Sequence, residues 1–227
     1  MMYFIMAIGI AYIIIRPIII LFSRNKKTKE MMAKAGIVES KETPTSSKEA
    51  KEFAEKVLNE VQKIIECSKQ TTDNLCSDLK IKNPAILFEQ IAFLYFLNNL
   101  QNILKKTPEE ISGEILPCLL NSIQEASRTI FDNKPDELLK FVQERSDVYC
   151  EFFERYGITD VFFNHIFTYH TVLINSIQKN NKISYFKVAP LNLHEKDIRN
   201  EIGDNNFDTI KAALEKNKQI YIDFYNN

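Results

Sequence analysis

Glycine and tryptophan are scarce in this chain, and their scarcity narrows the fold classes that it can adopt. Of 227 residues, five are glycine and none is tryptophan. Only Gly113, Gly157 and Gly203 lie beyond residue 46. Tight hairpin turns and phosphate-binding loops need glycine, because they require a positive φ or close approach of the backbone. The sequence therefore favours helices joined by short connections over sheet proteins and Rossmann-type folds.

Metal-binding spacings and catalytic signatures are also missing. Four cysteines occur, at Cys67, Cys76, Cys118 and Cys150, and no Cys/His group has the spacing of a zinc site. The Walker loop, the Gly-x-Ser-x-Gly elbow, the His-Glu-x-x-His motif and the Glu-x-x-His motif of di-iron bundles are absent. We therefore expect no cofactor and no metal, and we expect the chain to act by binding rather than by catalysis.

The charge balance gives no reason to expect a nucleic-acid partner. Lysine and arginine number 29 and acidic residues 30, so the formal net charge is −1, whereas nucleic-acid-binding domains carry a basic patch. Sixteen phenylalanines and nine tyrosines are too many for a disordered chain. Beyond the N-terminal region about 180 residues remain, which is the size of one domain with a real core.

The first 22 residues, MMYFIMAIGIAYIIIRPIIILF, are almost wholly apolar and include nine isoleucines. About 20 such residues in a helix span a hydrocarbon core about 30 Å thick, so we interpret residues 1–23 as a single transmembrane anchor. Arg16 and Pro17 interrupt the stretch. Arg16 lies toward the C-terminal end of the anchor, where its long side chain can reach the headgroups, and membrane helices tolerate proline.

Two other interpretations of this stretch remain open. Residues 1–15 could form a short span, with Arg16 at the interface and residues 18–22 lying along the membrane surface. A cleaved signal peptide would begin with a basic segment and end at small residues, and neither feature is present. The anchor is therefore the preferred interpretation.

The residues that flank the stretch predict its orientation. No lysine or arginine precedes it, whereas Arg24, Lys26, Lys27 and Lys29 follow it. Positive charge stays on the cytoplasmic side, so we expect the N-terminus outside and the C-terminal domain in the cytoplasm. Together with Arg16, these basic residues form the membrane flank, where they contact lipid headgroups. In this compartment the cysteines would be free thiols.

Residues 24–46 resemble a flexible polar linker, and residues 47–227 predict an all-α domain of about six to eight helices around two apolar central ones. The central helices are residues 85–104, after Asn83-Pro84, and residues 160–179, after Thr159. A second span over residues 86–97 is too short and contains two polar residues. The other predicted helices cover residues 46–79, 107–130, 135–156, 194–202 and 207–224.

Several local signals mark where these helices begin, bend and end. Capping boxes begin at Ser46 and Thr107, and Gly157 is a natural C-terminal cap. Pro117 predicts a kink or break, and Asp204 or Asn205 would cap the last helix. Residues 182–188 predict a short extended piece.

Five polar residues on the two central helices form a candidate polar pocket: Glu89, Gln90, His165, Tyr169 and His170. A buried carboxylate has a perturbed pKa unless it is paired, and such groups concentrate at functional sites. His165 and His170 are about 140° apart on a helix, so they do not predict a shared metal. The simpler alternatives are that Glu89 bonds to a tyrosine, asparagine or lysine across a helix interface, or that it lies on a solvated stripe beside Lys82 or Asn98.

The sequence thus predicts a membrane-anchored cytoplasmic helical domain that acts as a protein-interaction or scaffold module. An alternative is a helical domain that binds a lipid or small amphiphile at the membrane surface, because phenylalanine and tyrosine are abundant on the central helices. An enzyme is the third interpretation, and it would need Glu89 and a histidine to converge in a cleft.

Overall fold

A computed structural model describes residues 44–128, 130–131, 134–180 and 194–227. These ranges contain eight helices and no strand, so the all-α prediction is confirmed. In chain order the helices are α1 (Pro44–Leu79), α2 (Ala85–Leu104), α3 (Glu109–Ser127), α4 (Pro135–Tyr156), α5 (Asp160–Asn180), α6 (Glu195–Ile202), α7 (Asp204–Lys216) and α8 (Lys218–Asn226).

Some predictions fall on other parts of the chain. The predicted anchor at residues 1–23, most of the linker and the extended piece at residues 182–188 lie outside the described residues. Among the residues that the structure describes, no helix combines the length and the apolarity needed to cross a bilayer. Because α1 begins at Pro44, Ser46 lies inside the helix and is not its N-cap.

Helices α1 and α2 form an antiparallel hairpin. Lys80 has a positive φ of 54° just after α1, which turns the chain, and the Asn83 Oδ1 atom accepts a hydrogen bond of 2.9 Å from the Ala85 amide at the start of α2. Further along, the Asn98 side-chain amide donates to the Glu60 carboxylate at 2.7 Å. We call the connection side the closed end of the hairpin and the other side its open end.

Helix α2 lies at the centre of the domain, since 16 of its 20 residues are buried. The Phe93 ring is fully buried and contacts rings from three other helices. Its centroid lies 5.2 Å from Tyr149 of α4, 5.4 Å from His170 and 6.4 Å from Phe162 of α5, and 5.1 Å from Tyr221 of α8. The two apolar helices α2 and α5 therefore meet through aromatic rings in the core.

Two of the predicted caps form as expected, and a third does not. The Thr159 hydroxyl accepts a hydrogen bond of 3.3 Å from the Phe162 amide at the start of α5, and Gly157 ends α4 with a φ of 55°. Thr107, however, donates its hydroxyl to the side-chain oxygen of Asn102 at 2.9 Å. The predicted capping box at Thr107 is wrong, because the hydroxyl bonds to a side chain of the preceding turn instead of capping the backbone of α3.

Pro117 does not break α3, which continues from Glu109 to Ser127 with the proline inside. Proline removes one hydrogen bond from a helix interior. Ile115 on one side of it and Leu119 on the other are both fully buried. Their burial in the core keeps both halves of the helix in place, which local sequence signals cannot reveal.

The predicted helix over residues 207–224 is divided in two at Asn217. This side chain is fully buried; it donates to the Thr71 carbonyl at 3.0 Å and accepts from the Asn74 side chain at 2.8 Å. These two contacts attach the α7–α8 junction to α1.

The N-cap of α7 is Gly203 and not Asp204 or Asn205 as predicted.

Candidate functional site

Glu89 of α2 is paired with Arg145 of α4 in the interior of the domain. The Arg145 Nε atom donates to one carboxylate oxygen at 2.7 Å and a terminal guanidinium nitrogen donates to the other at 2.8 Å. The exposed fractions of the two side chains are 1% and 2%. Such a bidentate pair is the strongest form of a charge-assisted hydrogen bond.

Arg145 was not among the predicted site residues, although its position in the sequence indicated that it would be buried. The apolar stripe of α4 runs through Leu138, Val142, Tyr149 and Phe152, all buried, at steps of four, seven and three residues. Position 145 falls on the same stripe. A charged residue on an apolar stripe indicates a buried partner of opposite charge, and Glu89 on the most apolar helix is its counterpart.

Aromatic rings surround the guanidinium. The Arg145 Cζ atom lies 4.9 Å from the Phe141 ring centroid and 5.8 Å from that of Tyr169, within the range of cation–π attraction. Burial by itself opposes the charge on Arg145, but the Glu89 carboxylate outweighs burial and raises the pKa of the guanidinium. Arg145 is therefore a permanent buried cation.

Tyr149 and His170 form a second polar pair beside the first. The Tyr149 hydroxyl oxygen and the His170 Nε2 atom are 2.9 Å apart, and both residues are buried. Burial, and then Glu89, raises the pKa of Tyr149 well above its usual value. Burial and the charge on Arg145 lower the pKa of His170 to about 3. The pair is thus a protonated phenol against a neutral imidazole.

We call Glu89, Arg145, Tyr149, Tyr169 and His170 the polar cluster. The Tyr169 hydroxyl lies beside the guanidinium without a hydrogen bond of ordinary geometry, and the His170 Nδ1 atom likewise has no partner in the described ranges. Burial raises the pKa of Tyr169 to about 12. Buried atoms of this kind are commonly satisfied by ordered water.

The other two candidate residues, Gln90 and His165, lie elsewhere. Gln90 follows Glu89 directly, and adjacent residues on a helix point about 100° apart. Gln90 therefore points away from the polar cluster and accepts a short hydrogen bond from the Tyr221 hydroxyl of α8. His165 is half-buried and stacks on Tyr156, with ring centroids 4.5 Å apart and planes 8° from parallel. Burial lowers its pKa, and so do Lys211 and Arg155. The structure therefore places three of the five candidates in the polar cluster.

The depressed pKa of His170 predicts acid sensitivity. Its pKa is about 3 in the folded chain against an ordinary 6.5, so the unfolded chain binds the extra proton and stability falls as the pH drops from 6.5 toward 3. The free energy of unfolding should fall by about 1.4 kcal/mol per pH unit, which amounts to about 3 kcal/mol at pH 4.5. Urea denaturation at several pH values measures the free energy of unfolding. That free energy should change less steeply with pH for His170→Phe than for the natural sequence.

The matched control is His165→Phe, because His165 is half-buried and makes no hydrogen bond to the polar cluster. Between pH 6 and pH 4, the pH dependence of its free energy of unfolding should stay closer to that of the natural sequence. Equal slopes for His170→Phe and the natural chain would contradict the depressed pKa.

The chemistry available to the polar cluster is limited by its pairing. General acid–base catalysis needs a pKa near the working pH and access to a substrate, whereas Glu89 is occupied by Arg145, and both Tyr149 and His170 keep their neutral forms. Within the described ranges, no group of three His, Cys, Asp or Glu side chains could hold a metal. The four cysteines are free, and burial raises the pKa of the Cys67 thiol to about 11.

The geometry therefore makes the cluster a junction that joins α2, α4 and α5. Comparison of the chain with protein-family models, with curated proteins and with solved structures finds no significant match.

Proposed function

We propose that this chain is a membrane-tethered helical module that acts by binding another protein. One observation carries the proposal. The charged side chains of the polar cluster, Glu89 and Arg145, face inward and neutralise each other, and their exposed fractions are 1% and 2%. A paired and enclosed cluster supports a structural role for these groups, and this leaves the outer surface to perform the function.

The surface of α1 suits recognition. This helix is 36 residues long, and exposed residues follow its outer side from Glu49 to Asp78. They alternate in charge, for example Lys51, Glu52 and Lys56. A long, charged and rigid surface supports contact with a partner of complementary charge pattern.

The tether is proposed from the sequence. Residues 1–22 anchor the chain with its N-terminus outside, and the basic flank that follows keeps the helical domain on the cytoplasmic side. Anchoring confines the search for a partner to the membrane surface and raises the effective concentration of the domain there.

Alkaline extraction of membranes tests the tether. The full chain is expected to stay in the membrane fraction at high pH, and a form without residues 1–22 should be released. Release of the full chain would contradict the anchor.

Crosslinking in cells tests the binding role. The chain should crosslink to the same protein when residues 1–22 are replaced by an unrelated membrane span, because the helical domain carries recognition. The control is the natural N-terminal stretch fused to an unrelated domain, which should lose the partner. A partner that follows the anchor, or no partner above this control, would contradict the binding role of the helical domain.

The alternative, a domain that binds a lipid or small amphiphile, stays a prediction. It was motivated by the aromatic residues of the central helices. Those rings contact one another, as Phe163 and Phe167 do at a centroid distance of 5.9 Å. Because these rings pack against one another, they support a cavity for an amphiphile less than the paired polar cluster supports protein binding.

A further inference from the structure

The open end of the α1–α2 hairpin carries the most exposed large apolar side chains of the described ranges. At the end of α2, Ile103 is 54% exposed and Leu104 is 67% exposed. Leu58, in the N-terminal half of α1, is 54% exposed. The bond between Asn98 and Glu60 sets the alignment of the two helices. Ile103 and Leu104 thus form a small apolar patch at one helix end, and larger patches of this kind mark interaction sites.

The backbone that presents Ile103 and Leu104 is fixed. Asn102, immediately before them, is buried, and its side-chain oxygen accepts from the Thr107 hydroxyl at 2.9 Å. Lys106 has a φ of 52° and ends the helix. The two aliphatic side chains are therefore held outward by a closed turn.

The end of the chain lies beside this turn. The Gln101 side chain donates to the Tyr225 carbonyl at 3.1 Å, and the Lys105 ammonium donates to an oxygen of Asn227 at 2.8 Å. Tyr225 and Phe224 are half-buried. Aliphatic, aromatic and lysine side chains thus gather at one end, which is the composition of segments that lie at a membrane interface.

The same end leads toward the N-terminal apolar stretch. The chain enters α1 at Pro44, and residues 24–43 can reach at most about 70 Å, so α1 begins within that distance of the proposed anchor. From the alignment of Asn98 with Glu60, α1 extends about 15 Å beyond Leu104 along the hairpin axis. The hairpin must therefore tilt for Leu104 to meet the membrane.

We infer that the open end of the hairpin rests on the bilayer, with Ile103 and Leu104 at the boundary between headgroups and acyl chains. This inference rests on the proposed anchor. In the tilted hairpin the charged first turns of α1 lie among the headgroups.

The contact is apolar in origin. Lys105 is engaged with Asn227, and exposed Lys106 is offset by exposed Glu109 and Glu110. Binding should therefore depend little on anionic lipid. A few side chains cannot recruit a free domain, but they suffice once tethering makes the contact intramolecular.

Fluorescence quenching in vesicles tests this placement. The full chain is reconstituted into phosphatidylcholine vesicles that carry a spin-labelled lipid quencher near the headgroups. An environment-sensitive fluorescent amino acid replaces Leu104, or, as the control, exposed Lys82 at the closed end, about 30 Å away along α2. Quenching should be at least about twofold stronger at position 104, and phosphatidylglycerol should change it little.

The outcomes separate the two proposals. A chain that floats with the vesicles but shows equal quenching at positions 104 and 82 overturns this inference alone. Quenching that appears only with anionic lipid overturns its apolar basis, and crosslinks between copies through position 104 assign the surface to a second chain instead. A chain that does not float overturns the proposed anchor and this inference with it.

Discussion

Replacement of Glu89 by leucine is expected to lower the free energy of unfolding by about 3–5 kcal/mol. The carboxylate supplies both acceptors of the Arg145 guanidinium, at 2.7 Å and 2.8 Å. Without it, a permanent cation stays buried and the carboxylate that balances its charge is gone. Urea denaturation followed by circular dichroism, on the full chain in detergent, measures the loss.

The double variant Glu89→Leu, Arg145→Met separates pairing from packing. Replacing a buried ion pair by apolar residues of similar size is often neutral or stabilising, so the double variant should recover at least about 2 kcal/mol relative to Glu89→Leu. The matched control is Glu125→Leu, whose partner Arg128 is 54% exposed, and its effect should be below about 0.5 kcal/mol. Strictly additive losses in the double variant would show that the two residues are not coupled.

Replacement of Phe93 by alanine should cost about 3–5 kcal/mol, because it removes a fully buried ring and leaves a cavity. The ring meets Tyr149, Phe162, His170 and Tyr221 at centroid distances from 5.1 to 6.4 Å. These partners come from three helices, so the loss should loosen α4, α5 and α8 together. The same denaturation experiment measures it, and the decrease should appear in the midpoint rather than in the slope.

The control for Phe93 is Leu104→Ala, which truncates an aliphatic side chain that is 67% exposed. A surface change of this kind is expected to stay within about 0.5 kcal/mol. Similar losses for the two variants would mean that Phe93 does not lie in the common core of these helices.

The polar cluster also bears on how the helices find their register. A shift of α4 by one residue along α2 would separate Arg145 from Glu89 and break the buried ion pair, which is far more costly than a shift between apolar surfaces. We hypothesise that the pair selects one arrangement of α2 against α4. Broader amide signals in the NMR spectrum of the Glu89→Leu, Arg145→Met variant would support this role, and an unchanged spectrum would remove it.

The local features of this fold were predictable from the chain itself. The periodicity of apolar residues and the signals at Asn83, Thr159 and Gly157 depend on residues a few positions apart, so they act before any tertiary contact forms. The apolar character of α2 on all sides likewise follows from composition and predicts a buried centre. The proposed membrane tether depends on two such local features, the apolar N-terminal stretch and its basic flank.

The tertiary structure decided what depends on distant residues. Arg145 lies 56 positions from Glu89, and Asn217 divides its helix because it bonds to Thr71, 146 positions away. Thr107 turned to Asn102 instead of capping α3, and Pro117 stayed inside a helix whose two halves are buried. By itself the sequence determined most of the helices, the buried centre and some of the polar residues that required partners, such as Glu89. Only packing selected those partners, because a buried charge or amide is stabilised by whichever group the fold brings within hydrogen-bond distance.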